Sequence, residues 1–237
     1  MATMLVLDSC TWEENYHIIG YKYPGKKTVD EVEIDTPRLR RFRYIGPLRP
    51  PSFRPQPPEL EWVDLHFLSD HKDRNEDRNH DVSTFWRFLQ SFTSTKEMRL
   101  RVNHLEDITV YNKVRRVELL LAFRRLARLE VQGVHWTKGK TAAVTIVNLL
   151  HCCPVLSAIR INLTAEPHDA PKIKRARRSR IPRKEVQIPA LSGRHLLECL
   201  QTSLTRVDMQ FKLEKPNCFG AKLIEFFAEN AMVLSCV

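Results

Sequence analysis

One short arrangement of apolar residues recurs along the chain: an apolar residue, two other residues, a second apolar residue, one other residue and a third apolar residue. Eight copies, the last incomplete, begin about thirty residues apart over most of the chain. The copies are Ala2/Leu5/Leu7, Val29/Val32/Ile34, Leu60/Val63/Leu65, Thr95/Met98/Leu100, Leu126/Leu129/Val131, Leu156/Ile159/Ile161, Leu204/Val207/Met209 and Leu234/Val237. Because side chains alternate between the two faces of a strand, the second and third apolar positions point to the same side. The arrangement therefore predicts repeated strands that each bury one face.

Between these strand signals lie segments with apolar residues at three- and four-residue spacing, which is the spacing of one helix face. The helices predicted in this way cover 82–92, 141–150, 195–200 and 223–228. Strands that alternate with helices are parallel, since each return needs a crossover, and one repeat cannot bury its apolar residues alone. The predicted fold class is α/β: a leucine-rich-repeat solenoid over residues 1–237, with parallel strands on the concave face and helices outside.

Two segments depart from the repeat. Leu39/Phe42/Tyr44 has the same spacing only ten residues after a copy begins, and is interpreted as a second strand within one repeat. The interval between Leu156 and Leu204 is longer than the others, which predicts a loop of roughly twenty residues inserted at about 166–188.

Within the inserted loop, the segment 172–184 accounts for most of the net charge of +10. Its eight cations, with no acid among them, are Lys172, Lys174, Arg175, Arg177, Arg178, Arg180, Arg183 and Lys184. A solvated loop, a nuclear-import segment and a nucleic-acid contact are the alternatives for such a run. No aromatic residue lies between these cations, so stacking of bases on the loop is not expected and the pattern disfavours nucleic acid as a partner.

Other chemistry has little support in the sequence. Phosphate-binding, zinc-hydrolase and nucleophile-elbow motifs are absent, so we expect no enzyme activity, no cofactor and no metal. The adjacent Cys152 and Cys153 lack a second pair of ligands and are predicted to pack in the core, whereas the isolated His104 and His135 are predicted to be surface or capping residues. The chain contains six cysteines and lacks a long apolar segment. This combination indicates the nucleus or cytoplasm and no membrane contact.

Polar residues that alternate with the buried strand positions predict the surface that meets a partner. The candidates are Asp8, Glu33, Asp35, Asp64, His66, Arg99, Arg101, Glu130, Gln132, Arg160, Asn162, Asp208 and Gln210. In chain order these residues are acidic at first and partly basic in the middle, which suits a partner protein with complementary charged patches. Arg99, Arg101 and Arg160 are predicted to contribute most, with Glu130 and Asn162 beside them.

Four segments carry a resemblance to a known family. They read Leu-Leu-His-Cys-Cys-Pro-Val-Leu at 149–156, Phe-Arg-Arg-Leu-Ala-Arg-Leu-Glu-Val at 123–131, Ile-Asp-Thr-Pro-Arg-Leu-Arg-Arg-Phe-Arg-Tyr at 34–44 and Phe-Phe-Ala-Glu-Asn-Ala-Met-Val-Leu at 226–234. Together they resemble plant (grass) F-box proteins with leucine-rich repeats. The Cys-Pro-x-Leu junction resembles the repeat hallmark of that family, and the end at about 219–237 resembles a truncated FBD region.

The resemblance implies a non-catalytic recognition module similar to the substrate-binding repeats of an F-box subunit of a cullin–RING ubiquitin ligase. Its partner would be a protein, such as a ubiquitination substrate. No Leu-Pro-x-x-x-Leu F-box precedes the first repeat, so docking on a Skp-type adaptor is not implied. The alternatives are a nuclear nucleic-acid-binding protein that acts through 172–184, or a nonfunctional truncated fragment with uncapped apolar ends.

Overall fold

The computed structural model describes residues 4–8, 33–34, 38–48, 52–54, 60–68, 78–136, 139–165, 191, 197–211 and 219–233. The basic segment 172–184 and the rest of the inserted loop predicted at about 166–188 lie outside these residues. Nine strands form in the described part: β1 Met4–Asp8, β2 Glu33–Ile34, β3 Arg41–Gly46, β4 Ser52–Phe53, β5 Trp62–Phe67, β6 Glu97–His104, β7 Arg128–His135, β8 Ala158–Ala165 and β9 Arg206–Phe211. The α-helices there are α1 Arg78–Gln90, α2 Lys113–Leu119, α3 Lys140–Cys152, α4 Glu198–Thr202 and α5 Phe219–Asn230, and a 3-10 turn covers Leu105–Ile108.

Seven of these strands form one open, all-parallel sheet in the order β1, β3, β5, β6, β7, β8, β9. The strands of this sheet are thus neighbours in space in the order in which they follow one another along the chain. Strands β2 and β4 pair with each other in a separate two-stranded parallel sheet. The α/β class and the parallel strands predicted from the repeat are confirmed.

The apolar positions of the sequence motif form two rows that cross the large sheet. One row joins Leu5, Phe42, Val63, Met98, Leu129, Ile159 and Val207. The other joins Leu7, Tyr44, Leu65, Leu100, Val131, Ile161 and Met209. Helix residues such as Trp86, Ile146 and Phe226 belong to the same hydrophobic core as these rows. Each fully buried side chain of this size stabilises the fold by roughly 1.5–3 kcal/mol relative to exposure, so the rows are the main link between strands and helices.

The predicted strand at Leu39/Phe42/Tyr44 is confirmed, but the prediction that the copy Val29/Val32/Ile34 supplies a strand of the large sheet was wrong. Ile34, from the predicted copy Val29/Val32/Ile34, lies in the small sheet, and Leu39/Phe42/Tyr44 supplies the strand between β1 and β5. The physical reason is aromatic packing. Phe42 stacks on Phe92 with 5.6 Å between ring centroids, and Tyr44 meets Phe88 edge-on at 5.9 Å. Aromatic rings bury more area than valine or isoleucine side chains with the same spacing.

Four predicted helices are present with shifted bounds, as α1, α3, α4 and α5. Helix α2 and the 3-10 turn were not predicted. In α2 only Leu119 is buried, so this helix lacks the apolar periodicity that a core-facing helix shows. The segment 105–112 that precedes α2 buries Leu105, Ile108 and Val110 in the core and is also held by polar contacts. Trp86 Nε1 donates to the carbonyl of Ile108 at 2.8 Å, and Thr145 Oγ1 donates to that of Leu105 at 2.8 Å.

Candidate functional site

The strand positions that alternate with the apolar rows form a third row, which lies on the opposite face of the sheet. In order across the sheet it holds Val6, Arg43, Asp64, Arg99, Glu130, Arg160 and Asp208. From β3 to β9 the charge of this row alternates between positive and negative at every strand. Neighbouring strands lie about 4.8 Å apart, so each charge is beside charges of opposite sign. We call the side of the sheet that carries this row the polar face.

Ion pairs join neighbouring strands along the polar face. Arg43 Nε lies 3.0 Å from Asp64 Oδ2, and Arg99 Nε lies 2.9 Å from Glu130 Oε2. At the β9 edge Arg160 Nη2 lies 3.4 Å from Asp208 Oδ2. Such pairs fix the orientation of long side chains that would otherwise move freely, and the guanidinium groups keep further N–H donors beyond those used in the pairs.

Asp64 is the most buried charge of the polar face. Its side chain is only 2% exposed, and its Oδ2 atom also lies 3.5 Å from Arg101 Nη2. The Arg43 guanidinium that pairs with it lies over the ring of Trp62, 5.6 Å from the centroid. Two guanidinium groups thus compensate one buried carboxylate, while its other oxygen, Oδ1, has no hydrogen-bond partner among the described residues. This cluster is the electrostatic centre of the face.

A second polar row lies two residues closer to the carboxyl ends of the strands. It holds His66, Arg101, Gln132, Asn162 and Gln210 in consecutive strands. Gln132 Nε2 donates to Glu130 Oε1 and so links the two rows. Toward β9 this row is uncharged and carries amide groups that can both donate and accept hydrogen bonds.

The structure brings together the predicted contact residues Arg99, Arg101, Glu130, Arg160 and Asn162 on one face. One other candidate, Glu33, was misplaced by the assignment of Val29/Val32/Ile34 to the large sheet. Glu33 lies in the small sheet, and Asp35 lies outside the described residues.

The prediction missed Arg43, which occupies the corresponding position in β3. With Arg43 in place the face is not acidic at one end, as the sequence suggested, but alternates in charge. The spacing of Leu39/Phe42/Tyr44 was the signal that could have identified Arg43.

Three thiols that could suggest redox or nucleophilic chemistry are buried. Burial raises the pKa of Cys152 to about 12 and that of Cys199 to about 11, and it raises the pKa of Cys153 well above its ordinary value. These thiols are therefore protonated at neutral pH, and the thiolate is the reactive form. The predicted core packing of Cys152 and Cys153 is confirmed.

A buried carboxylate follows β6 at the carboxyl ends of the strands. Burial raises the pKa of Glu106, although its Oε1 accepts a hydrogen bond of 2.8 Å from the Trp136 backbone N–H. His104 and His135 also lie near enough to influence this carboxyl group. His135 was predicted to be a surface or capping residue but is buried, because its ring packs edge-on against Phe219 with 4.9 Å between centroids.

The described residues contain no group of three or more His, Cys, Asp or Glu side chains placed to hold a metal ion. None of the helices described is both long and apolar enough to cross a membrane.

Comparisons of the chain with protein-family models, with curated proteins and with solved structures found no match. The resemblance to F-box proteins with leucine-rich repeats therefore stays a prediction from the four sequence segments that carry it.

Proposed function

We propose that this chain is a non-catalytic protein-recognition module whose polar face binds a protein partner. In this proposal the seven parallel strands belong to a leucine-rich-repeat solenoid similar to the substrate-binding repeats of an F-box subunit of a ubiquitin ligase. The strand order supports a solenoid, because doubly wound α/β sheets reverse their order at a switch point and the order here does not reverse. The partner is a protein with its own pattern of charges, such as a ubiquitination substrate.

The observation that carries the proposal is the contrast between the two faces of the sheet. One face is a continuous apolar core shared with the helices, while the other presents a row of alternating charges. The side chains of Arg99 and Arg160 are 35% and 56% exposed, so their remaining donors are accessible to a partner. Because neighbouring charges already hold these groups in place, a partner gains contacts without ordering flexible side chains.

Charge complementarity on such a surface sets specificity and association rate more than affinity. A partner that places a carboxylate over Arg99 and a cation over Glu130 matches the row, whereas a partner displaced by one strand meets like charges. The polar face therefore favours one alignment of a partner along the sheet.

The test is affinity capture of the tagged chain from plant extract, followed by mass spectrometry. The charge reversals Arg99→Glu and Arg160→Glu are compared with Arg87→Glu, which reverses an exposed arginine on helix α1. We expect the two polar-face variants to lose specific partners that the wild type and Arg87→Glu retain. Equal recovery by all four proteins would show that the polar face is not the interface.

A version with the cations of 172–184 neutralised separates this proposal from nucleic-acid binding. Binding through phosphate contacts would disappear in that version and would fall steeply with salt concentration. Binding through the polar face would persist when the segment is neutralised.

A further inference from the structure

A second candidate surface lies on helix α2, away from the polar face. Tyr111, Val114 and Val117 are 60%, 66% and 82% exposed, and Leu121 follows at 44%. Val114 and Val117 are three residues apart and share one side of the helix. We call these four residues the α2 patch. Single exposed apolar side chains are common, but a group of four within eleven residues is typical of an interaction surface.

The α2 patch is held in place without burying its own apolar side chains. Tyr111 Oη donates to Thr141 Oγ1 of α3 at 2.6 Å. Just before it, the carbonyl of Val110 accepts from Arg116 Nε at 2.9 Å and from Asn148 Nδ2 at 3.1 Å. These bonds anchor Val110 and Tyr111 in the connection that leads into α2. A surface ordered in advance avoids part of the entropy cost of binding.

An open depression of about 340 Å³ adjoins the patch. Its lining includes Val82 of α1, Val110, Tyr111 and Arg115, so Tyr111 belongs both to the depression and to the α2 patch. This volume is in the lower part of the range for ligand pockets and is large enough for a bulky apolar side chain of a bound segment.

Positive charge surrounds the patch. From Tyr111 to Arg125 the chain carries five cations and a single acid, Glu118. Lys113 and Arg115 on α2 are exposed, as are Arg124 and Arg125 beyond it. An apolar centre with a basic rim complements a segment that carries apolar residues on one side and carboxylates around them.

We propose that the α2 patch docks an acidic amphipathic helix of a protein partner. Apolar residues of that helix, three and four positions apart, pack on Val114, Val117 and Tyr111, and one of them enters the depression. Its flanking carboxylates lie near Lys113 and Arg115. This mode of recognition buries one apolar stripe of a helix in a groove and uses charge at the rim for orientation. It places a second interaction surface on the helix side of the sheet and does not require the polar face to bind.

The test uses a displayed library of random peptides about 16 residues long, which is about four helical turns. The library is selected on the full chain and counter-selected on Val114→Asp/Val117→Asp. Both valines are exposed, so the double variant leaves the core intact, and circular dichroism checks its folding. Val155→Asp is the matched control, because Val155 is an exposed valine on the loop before β8.

We expect the selected peptides to combine acidic residues with apolar residues at three- and four-residue spacing. A synthetic peptide of this kind should bind the wild type and Val155→Asp equally and Val114→Asp/Val117→Asp at least about tenfold more weakly, a loss of about 1.4 kcal/mol. Arg99→Glu should not change this affinity.

Three results would overturn the proposal: selected peptides without acidic residues, equal binding to the double variant, or dimerisation of the chain that the double variant abolishes. Dimerisation would show that a second copy occupies the patch. Loss of peptide binding in Arg99→Glu alone would place the interface on the polar face instead.

Discussion

Replacing Asp64 with asparagine removes the most buried charge of the polar face and leaves the shape of the side chain unchanged. Arg43 and Arg101 lie 3.0 Å and 3.5 Å from Asp64 Oδ2. At an effective dielectric constant of about 20, each of these attractions is worth about 5 kcal/mol before the cost of removing the ions from water. That cost is several kcal/mol for each ion, so most of the attraction is offset.

The side chains of Arg43 and Arg101 are 36% and 31% exposed, so both regain contact with water when their partner is neutral. We therefore expect Asp64→Asn to lower the free energy of unfolding by about 1–3 kcal/mol, less than the loss of one partner from a fully buried pair.

Asp208→Asn is the matched control. Asp208 also contacts two arginines, Arg160 at 3.4 Å and Arg206 at 3.1 Å, and these guanidinium groups lower the pKa of its carboxyl group. It is 37% exposed, however, and water and salt screen its pairs. The expected loss of stability is below about 0.5 kcal/mol.

Urea unfolding of the wild type and both variants, at low salt and at about 1 M salt, measures the difference. The Debye length falls to about 3 Å at the higher salt, so the small effect of Asp208→Asn should disappear while that of Asp64→Asn persists. Equal losses for the two variants would refute the conclusion that burial makes Asp64 the centre of the face.

Three further predictions concern the interior. Because burial raises the pKa of Glu106 above its ordinary value of 4.5, its contribution to stability is present below that value and is lost as pH rises through the folded-state pKa. Glu106→Gln, which keeps the acceptor for the backbone N–H, should gain stability relative to wild type as pH rises, and a pH-independent difference in urea midpoints would contradict this. Cys152 and Cys199 should resist iodoacetamide at mildly alkaline pH until the chain unfolds, since their pKa values are about 12 and 11; rapid labelling of the native protein, detected by mass spectrometry, would be inconsistent with their burial. Gly133→Ala would place a Cβ atom 2.7 Å from the Val102 carbonyl oxygen and should cost roughly 1–3 kcal/mol in thermal or urea unfolding, whereas an unchanged midpoint would mean that the two strands can separate at no cost.

The two apolar rows of the large sheet could be predicted from the sequence, because side chains alternate along a strand and the core selects apolar residues at every second position. The assignment failed where two nearby segments shared that spacing. Spacing alone could not decide between Val29/Val32/Ile34 and Leu39/Phe42/Tyr44. The aromatic contacts of Phe42 with Phe92 and of Tyr44 with Phe88 distinguish the two segments, and those contacts are between residues far apart in the chain.

In β6, β7 and β8 the charged residues of the polar face could be predicted one by one, but the ion pairs between them could not. Arg99, Glu130 and Arg160 follow from alternation, whereas their pairing depends on the register between distant strands. Arg99 and Glu130 are 31 residues apart, and Arg160 and Asp208 are 48 residues apart. Helix α2 could not be predicted, because Val114 and Val117 face solvent and only Leu119 is buried, which gives no core periodicity.

An exchange of charge between Arg99 and Glu130 tests the central proposal most directly. The variant Arg99→Glu/Glu130→Arg keeps an ion pair between β6 and β7 and the same net charge, but it inverts the pattern that a partner meets. Its affinity for a partner captured by the wild type is measured by biolayer interferometry, with urea unfolding as the check on folding. Recognition by the polar face predicts an unfolding midpoint close to that of the wild type and a Kd at least about tenfold weaker. A folded variant that binds this partner as tightly as the wild type would contradict the account.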